Sequence, residues 1–126
     1  MPTSKSPIKA AHLLRGAHAE KLAHEYLLAQ GLQSVTRNFR CLYGELDLIM
    51  RDANTLVIIE VRYRKNNQYG GALASITQKK QQRIIASTQV YLIENKLDCP
   101  VRFDVVAMTA NNQLDWLKNA FLLEYL

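Results

Sequence analysis

A chain of 126 residues that is 48% hydrophobic and 21% charged has the size and composition of one globular domain, which excludes disordered, low-complexity and disulfide-stapled classes. Lys and Arg number 16 against 11 Asp and Glu, and the resulting net charge of +5 favours a polyanionic partner without specifying one. The two cysteines, Cys41 and Cys99, match no zinc or redox spacing and point to a reducing cytoplasm, while no apolar run approaches the roughly 20 residues of a membrane span.

The basic start, MPTSKSPIKA, is followed by no apolar stretch and does not read as a signal peptide. Residues 1–11 are expected to form a flexible basic arm ahead of a single domain over residues 12–126. Helical periodicity runs from about His12 to Gln30 and is closed by Gly31. Leu13, Ala17, Ala23, Leu27 and Leu28 fall on one arc of that helix, with Glu20 and His24 inside the arc. Strands are predicted from Leu32 to Arg40 and from Glu45 to Met50, then, after a turn over residues 51–54, from Thr55 to Arg64. A polar loop over Asn66–Gly71 leads to a second helix from about Ser75 to Asn95, with Ser75 or Thr77 as N-cap. Pro100 precedes a strand over Val101–Met108, and a turn at Asn111-Asn112 leads to a last short strand or helix through Trp116 and Phe121. This order predicts an α/β sandwich with a mixed central sheet and helices packed against it.

Strand alternation puts Glu45 and Asp47 on one face, and Glu60 with Arg62 on one face of the next strand. A hairpin centred between Ala53 and Asn54 sets opposite those residues whose numbers sum to 107, pairing Asp47 with Glu60 and Glu45 with Arg62. Two like charges facing each other destabilise a strand pair, so a cation is expected to compensate. Arg62 can serve one carboxylate, and Mg²⁺ or Mn²⁺ can serve both, because hard divalent cations prefer oxygen ligands. Solvated rim carboxylates with a Glu45–Arg62 salt bridge fit the spacing equally well. Glu20 on the first helix and Lys80 on the second, the latter sharing a face with Ile76, Ile84, Ser87 and Tyr91, can converge on the same place. His24 reads as a core-edge histidine and not as a ligand, and Tyr63, Tyr69 and Tyr91 read as packing residues.

The strings GAHAEKLAHEYLLAQGL, RNFRCLYGELDLIM, VIIEVRYRKN, ITQKKQQRIIASTQVYL and VRFDVVAM resemble the YraN-like uncharacterised bacterial proteins, from about Gly16 to Met108 with an echo at Trp116–Phe121. That family is assigned to the restriction-endonuclease-like fold, close to the archaeal Holliday junction resolvases. The resemblance implies a three-layer sandwich with a central mixed β-sheet flanked by helices. It further implies a Mg²⁺- or Mn²⁺-dependent nuclease, or a nuclease-like nucleic-acid-binding protein, acting on branched or structured DNA as a possible homodimer. Carried over by residue, Glu20 matches the helix-borne acid, Asp47 the central metal-ligand aspartate and Glu60 the glutamate of a Glu-x-Lys pair. Glu45 matches the acid of a Gly-Glu-x-Asp string, and Lys80 falls where a helix residue often completes such a site. Val61 is expected to add its carbonyl to the metal. Arg62 departs from the pattern, which has lysine, and arginine cannot act as a base although it can hold a phosphate. Arg64, Lys65, Lys79 and Arg83 are expected to hold the flanking DNA backbone. A non-catalytic nucleic-acid-binding module is the alternative, and the apolar residues Phe121, Leu122, Leu123 and Leu126 leave room for a protein-interaction module.

Overall fold

The computed structural model describes residues 7–64, 76–109 and 111–122, with side chains from Gly16 onward. Helix α1 (Pro7–Ala29) begins five residues before the expected His12, so residues 7–11 belong to the helix and not to an arm. Proline suits a first helical turn, where its missing N–H has no intrahelical partner to lose. The helix ends as Gly31 predicts: Gly31, at φ +100°, donates to the Leu28 carbonyl, and Leu32 donates to the Leu27 carbonyl at 3.1 Å. The buried stripe is Ala19, Ala23 and Leu27 at intervals of four. Ala17 and Leu28, expected on the arc, face outward. The two small alanines let the helix lie close to the sheet, which turns the contact towards them and leaves Glu20 on the flank.

Five strands follow, β1 (Gln33–Cys41), β2 (Gly44–Asp52), β3 (Thr55–Arg64), β4 (Val101–Thr109) and β5 (Leu114–Phe121), with helix α2 (Gln78–Glu94) between β3 and β4. Thr77 caps α2 by accepting from the Lys80 N–H at 3.1 Å, one of the two caps the sequence offers. Chain order is sheet order, β1-β2-β3-β4-β5. Every pairing is antiparallel except β3 with β4, whose parallel alignment requires the α2 crossover. β3 is central and buried from Leu56 to Glu60.

The helices cover opposite faces, giving three layers. Ala23 and Leu27 of α1 pack with Leu48, Met50, Val57, Ile59 and Val106. Ile84, Ile85 and Tyr91 of α2 pack with Leu46, Ile49, Leu56, Ile58, Phe103 and Val105. On β2 this division breaks the rule of alternation. Leu46 and Leu48 are two residues apart, yet they face different helices. β1 breaks at the same level: Asn38, opposite Asp47, takes φ +55°. Phe39 beyond it packs on the α2 side against Tyr91, with ring centroids 5.1 Å apart. The break lies at the residue the sequence marks for chemistry.

The far side of the sheet is tied by Asp104, a carboxylate only 1% exposed. Arg102 grips it with Nε and Nη2, both at 2.9 Å, and reaches Asp52 Oδ2 with Nη1 at 3.0 Å. Trp116 Nε1 and the Asn119 N–H complete the set at 3.0 and 2.9 Å, fastening β5 where its register against β4 shifts. Phe121 stacks on Phe103 at 4.8 Å, so this member of the expected C-terminal interaction surface belongs to the core. Leu122 is exposed, while Leu123 and Leu126 lie outside the described residues, as do Lys65, Tyr69 and Ser75. Asp104→Ala removes the partner of four donors and should destabilise the fold by about 3–5 kcal/mol in a denaturant titration. Asp104→Asn should cost less.

Candidate metal centre

The site lies where β2 leaves β3. Their ladder follows the predicted register from Asp52↔Thr55 to Leu48↔Ile59 and stops there. Asp47 and Glu60 would form the next pair. Instead, the Val61 N–H donates to Asp47 Oδ2 at 2.9 Å, so a side chain takes the place of strand pairing. Val61, expected to contribute its carbonyl to a metal, also holds Asp47 through its amide.

Asp47 and Glu60 stay within each other's influence, Asp47 adding to the rise of Glu60, but their carboxylates find different partners. Asp47 and Glu45 turn towards α1, where they and Glu20 each bring a carboxylate oxygen within 4.8 Å of the others. Glu60 continues the alternation of Leu56 and Ile58 towards α2, where its Oε1 lies 3.6 Å from Lys80 Nζ. Asp47 sits in the fork and feels both sides. Glu45 is opposite Arg40 on β1 and accepts from its Nε at 2.7 Å. The register reasoning assumed regular alternation through Asp47, and the left-handed Asn38 opposite it breaks that assumption. With its amide turned to donate, Asn38 places its nitrogen 3.0 Å from Glu20 Oε1 and 3.1 Å from Glu45 Oε1. Its one visible sequence signal is an asparagine, a residue tolerant of φ > 0, inside a strand pattern.

The electrostatics fit an unmet need for positive charge. Burial pushes the Glu20 carboxyl up to about 7, the charges of Asp47 and Glu45 add to the rise, and Arg37 opposes it. Burial also lifts Glu60 to about 7, with Asp47 adding, while Lys80 and Arg62 pull down. Asp47 is raised by burial first and by Glu45, against the Val61 N–H, Lys80 and Arg62. An oxygen-only donor set at this spacing fits a hard divalent cation, whose charge would hold all of these acids ionised.

Of the other predicted residues, Lys80 shares the inward face of α2 with buried Ile84, Ser87 and Tyr91 as expected. Arg83, one turn from Lys79, lines a cavity of about 90 Å³ with Tyr43, Gly44, Glu45, Lys80 and Ile84. Arg64 ends β3, and Lys79 is exposed on the first turn of α2. His24 Nε2 meets Ser34 Oγ at 2.9 Å, satisfied at the core edge.

Glu20 and Glu60 bind protons more tightly in the folded chain than at the ordinary 4.5, so each favours folding below that value and loses the advantage as pH rises towards about 7. Without metal, the melting temperature should fall between about pH 5 and about pH 7.5, and Glu60→Gln should flatten part of that slope in a pH series of thermal melts. Mn²⁺ should raise the melting temperature by several degrees near the upper pH and by little near the lower.

A family model described as "Uncharacterised protein family UPF0102" matches residues 19–108, which include every acid of the site. A UPF0102 protein of Saccharophagus degradans is 47% identical over 116 residues, covering 90% of this chain and 98% of that one. One of Pseudomonas fluorescens is 48% identical over 114 residues (88% and 95% of the two chains), and one of Methylococcus capsulatus 46% over 110 (85% and 89%). The chain belongs to the uncharacterised family UPF0102, the YraN family that its motifs resemble.

Proposed function

We propose that this protein is a metal-dependent nuclease-type phosphodiesterase acting on DNA. The observation that carries the reading is the gathering of Glu20, Glu45 and Asp47 within 4.8 Å at the fork of β2 and β3, with Glu60 and Lys80 beside it. Glu20, Glu45 and Asp47 would hold Mg²⁺ or Mn²⁺, and Glu60 would stand at its edge. Such an ion polarises a phosphate and lowers the pKa of a bound water. Asp47 is kept in place by the Val61 N–H, and Glu45 by Arg40. Lys80, held by Glu60 at the other lip of the fork, supplies a cation for the scissile phosphate. Lys79 and Arg83 extend that positive edge along α2 for the flanking backbone, and Arg64 extends it at the end of β3. Branched or structured DNA is the substrate class the family resemblance implies.

A second reading, a nucleic-acid-binding module without cleavage, has one specific observation in its favour. Arg62, where the nuclease pattern has lysine, acts on Asp47 and Glu60 as a fixed positive charge. It can bind phosphate but cannot take a proton from water.

Calorimetric titration with Mn²⁺ should show one binding event in the wild type that is abolished in Asp47→Ala and weakened in Glu20→Gln and Glu45→Gln. Unchanged heat in Asp47→Ala would remove the metal site. Four-way junction, flap and single-stranded DNA should be cut only with the ion present, and Asp47→Ala should leave no cutting. If lysine restores a proton acceptor, Arg62→Lys should speed cutting by about tenfold or more. DNA binding without cutting in both proteins would favour the second reading.

A further inference from the structure

The turn joining β1 to β2 breaks the usual chemistry of a turn. Cys41 pairs with Gly44, so the loop between them is Leu42-Tyr43 alone. Such positions normally take Asn, Asp, Gly or Ser, which hydrogen-bond locally and sit comfortably in water. Here Leu42 is 93% exposed and Tyr43 51%. Gly44, at φ +141°, supplies the backbone freedom the turn requires, so neither large side chain is there to shape it. Neither serves the core, since both helices meet the sheet elsewhere. A local rule broken without a folding gain points to function.

Position and charge say what the turn meets. Tyr43 lines a cavity with Lys80 and Arg83 that touches the acid cluster through Glu45. Four residues separate Tyr43 from Asp47, roughly 13 Å at about 3.3 Å per residue, the length of two nucleotides or so. Arg40, with a side chain 79% exposed, stands just before the turn, and Arg83 faces it from α2. Apolar side chains at the tip of a hairpin, with guanidinium groups at its base, suit a nucleobase flanked by phosphates better than an apolar protein surface.

We infer that Leu42 and Tyr43 form a wedge that stacks on an unpaired or terminal base of the DNA whose phosphate enters the acidic fork. The inference rests on the nuclease-type reading and narrows its substrate to DNA with a break in base pairing near the bound phosphate. In a duplex, bases are already stacked on one another, and inserting a wedge there costs unstacking energy. At a fork, flap or junction one base face is already open, so Leu42 and Tyr43 gain contact without that cost. The wedge therefore selects for structure and not for sequence.

The test uses the full chain with Ca²⁺ in place of Mg²⁺, so that binding is read without cutting. Fluorescence anisotropy gives the affinity for a blunt duplex and for a forked duplex of the same length. The forked duplex carries 2-aminopurine at its branch, which dims when a side chain stacks on its open face. The wild type should prefer the fork and dim the probe. Leu42→Ala/Tyr43→Ala should lose about tenfold or more on the fork, change little on the blunt duplex and leave the probe bright. Tyr43→Trp should retain fork binding. Both residues lie in an exposed turn, and an unchanged melting temperature confirms that the variants fold. Equal fork affinity and equal probe brightness in the wild type and the double variant would overturn the wedge while leaving the nuclease-type reading intact. Failure of the wild type to bind either DNA would overturn that reading and the wedge with it.

Discussion

The hydrogen bond from the Val61 N–H to Asp47 Oδ2, 2.9 Å long, sits where the central strand of the sheet loses a neighbour. A backbone donor in the middle of a buried strand must be satisfied, and its ordinary partner would be a carbonyl of β2. By taking that place, the Asp47 carboxylate lets β2 swing away without leaving an orphaned amide. The parting opens a fork that helix α1 reaches with Glu20 from one side and α2 reaches with Lys80 from the other. Side chains from both outer layers therefore act on Asp47, although among the described residues the two core clusters lie on opposite faces of the sheet.

Among the described residues, the two buried acid environments differ in kind. Asp104 is surrounded by donors, with a forked arginine, an indole N–H and a backbone N–H filling its lone pairs. It ties strands together and asks for nothing more. Glu60, 5% exposed, has a lysine at 3.6 Å and the charge of Arg62 set against another carboxylate, and Glu20 and Glu45 gather beside the same Asp47. Burying charge without full compensation costs stability, and it is tolerated where a ligand can complete the set. The contrast separates a structural carboxylate from a functional one more clearly than burial alone.

Much of this was legible in the chain. Gly31 announced the end of α1, Thr77 the start of α2, and Ala53-Asn54 the hairpin whose register holds as far as Leu48↔Ile59. β-branched residues from Thr55 onward marked the central strand, with its bounds at Thr55 and Arg64. The site was legible as a set of acids, but their grouping was not. Alternation is a rule for regular strands, and the acids sit where the strands are irregular. Asp47 acts on both Glu60 and Glu20, and the left-handed Asn38 one strand away, at the level of that break, is a feature no periodicity reveals. The Asp104 clamp escaped for a related reason: Arg102 and Asp104 read as ordinary strand charges until Trp116 and Asn119 are brought beside them by the fold.

Asn38 has a second effect, because β1 is an edge of the sheet. An open edge offers its unpaired amides and carbonyls to any other extended chain. β1 is a poor template for that purpose. Its pairing already slips between Ser34 and Thr36, Asn38 interrupts its pleat a few residues later, and Arg37 and Arg40 place charge along it. The kink that aims two carboxylates at α1 thus also guards the molecule against polymerising strand by strand. Straightening β1 would cost the protein both the aim of its acid cluster and this guard on its edge.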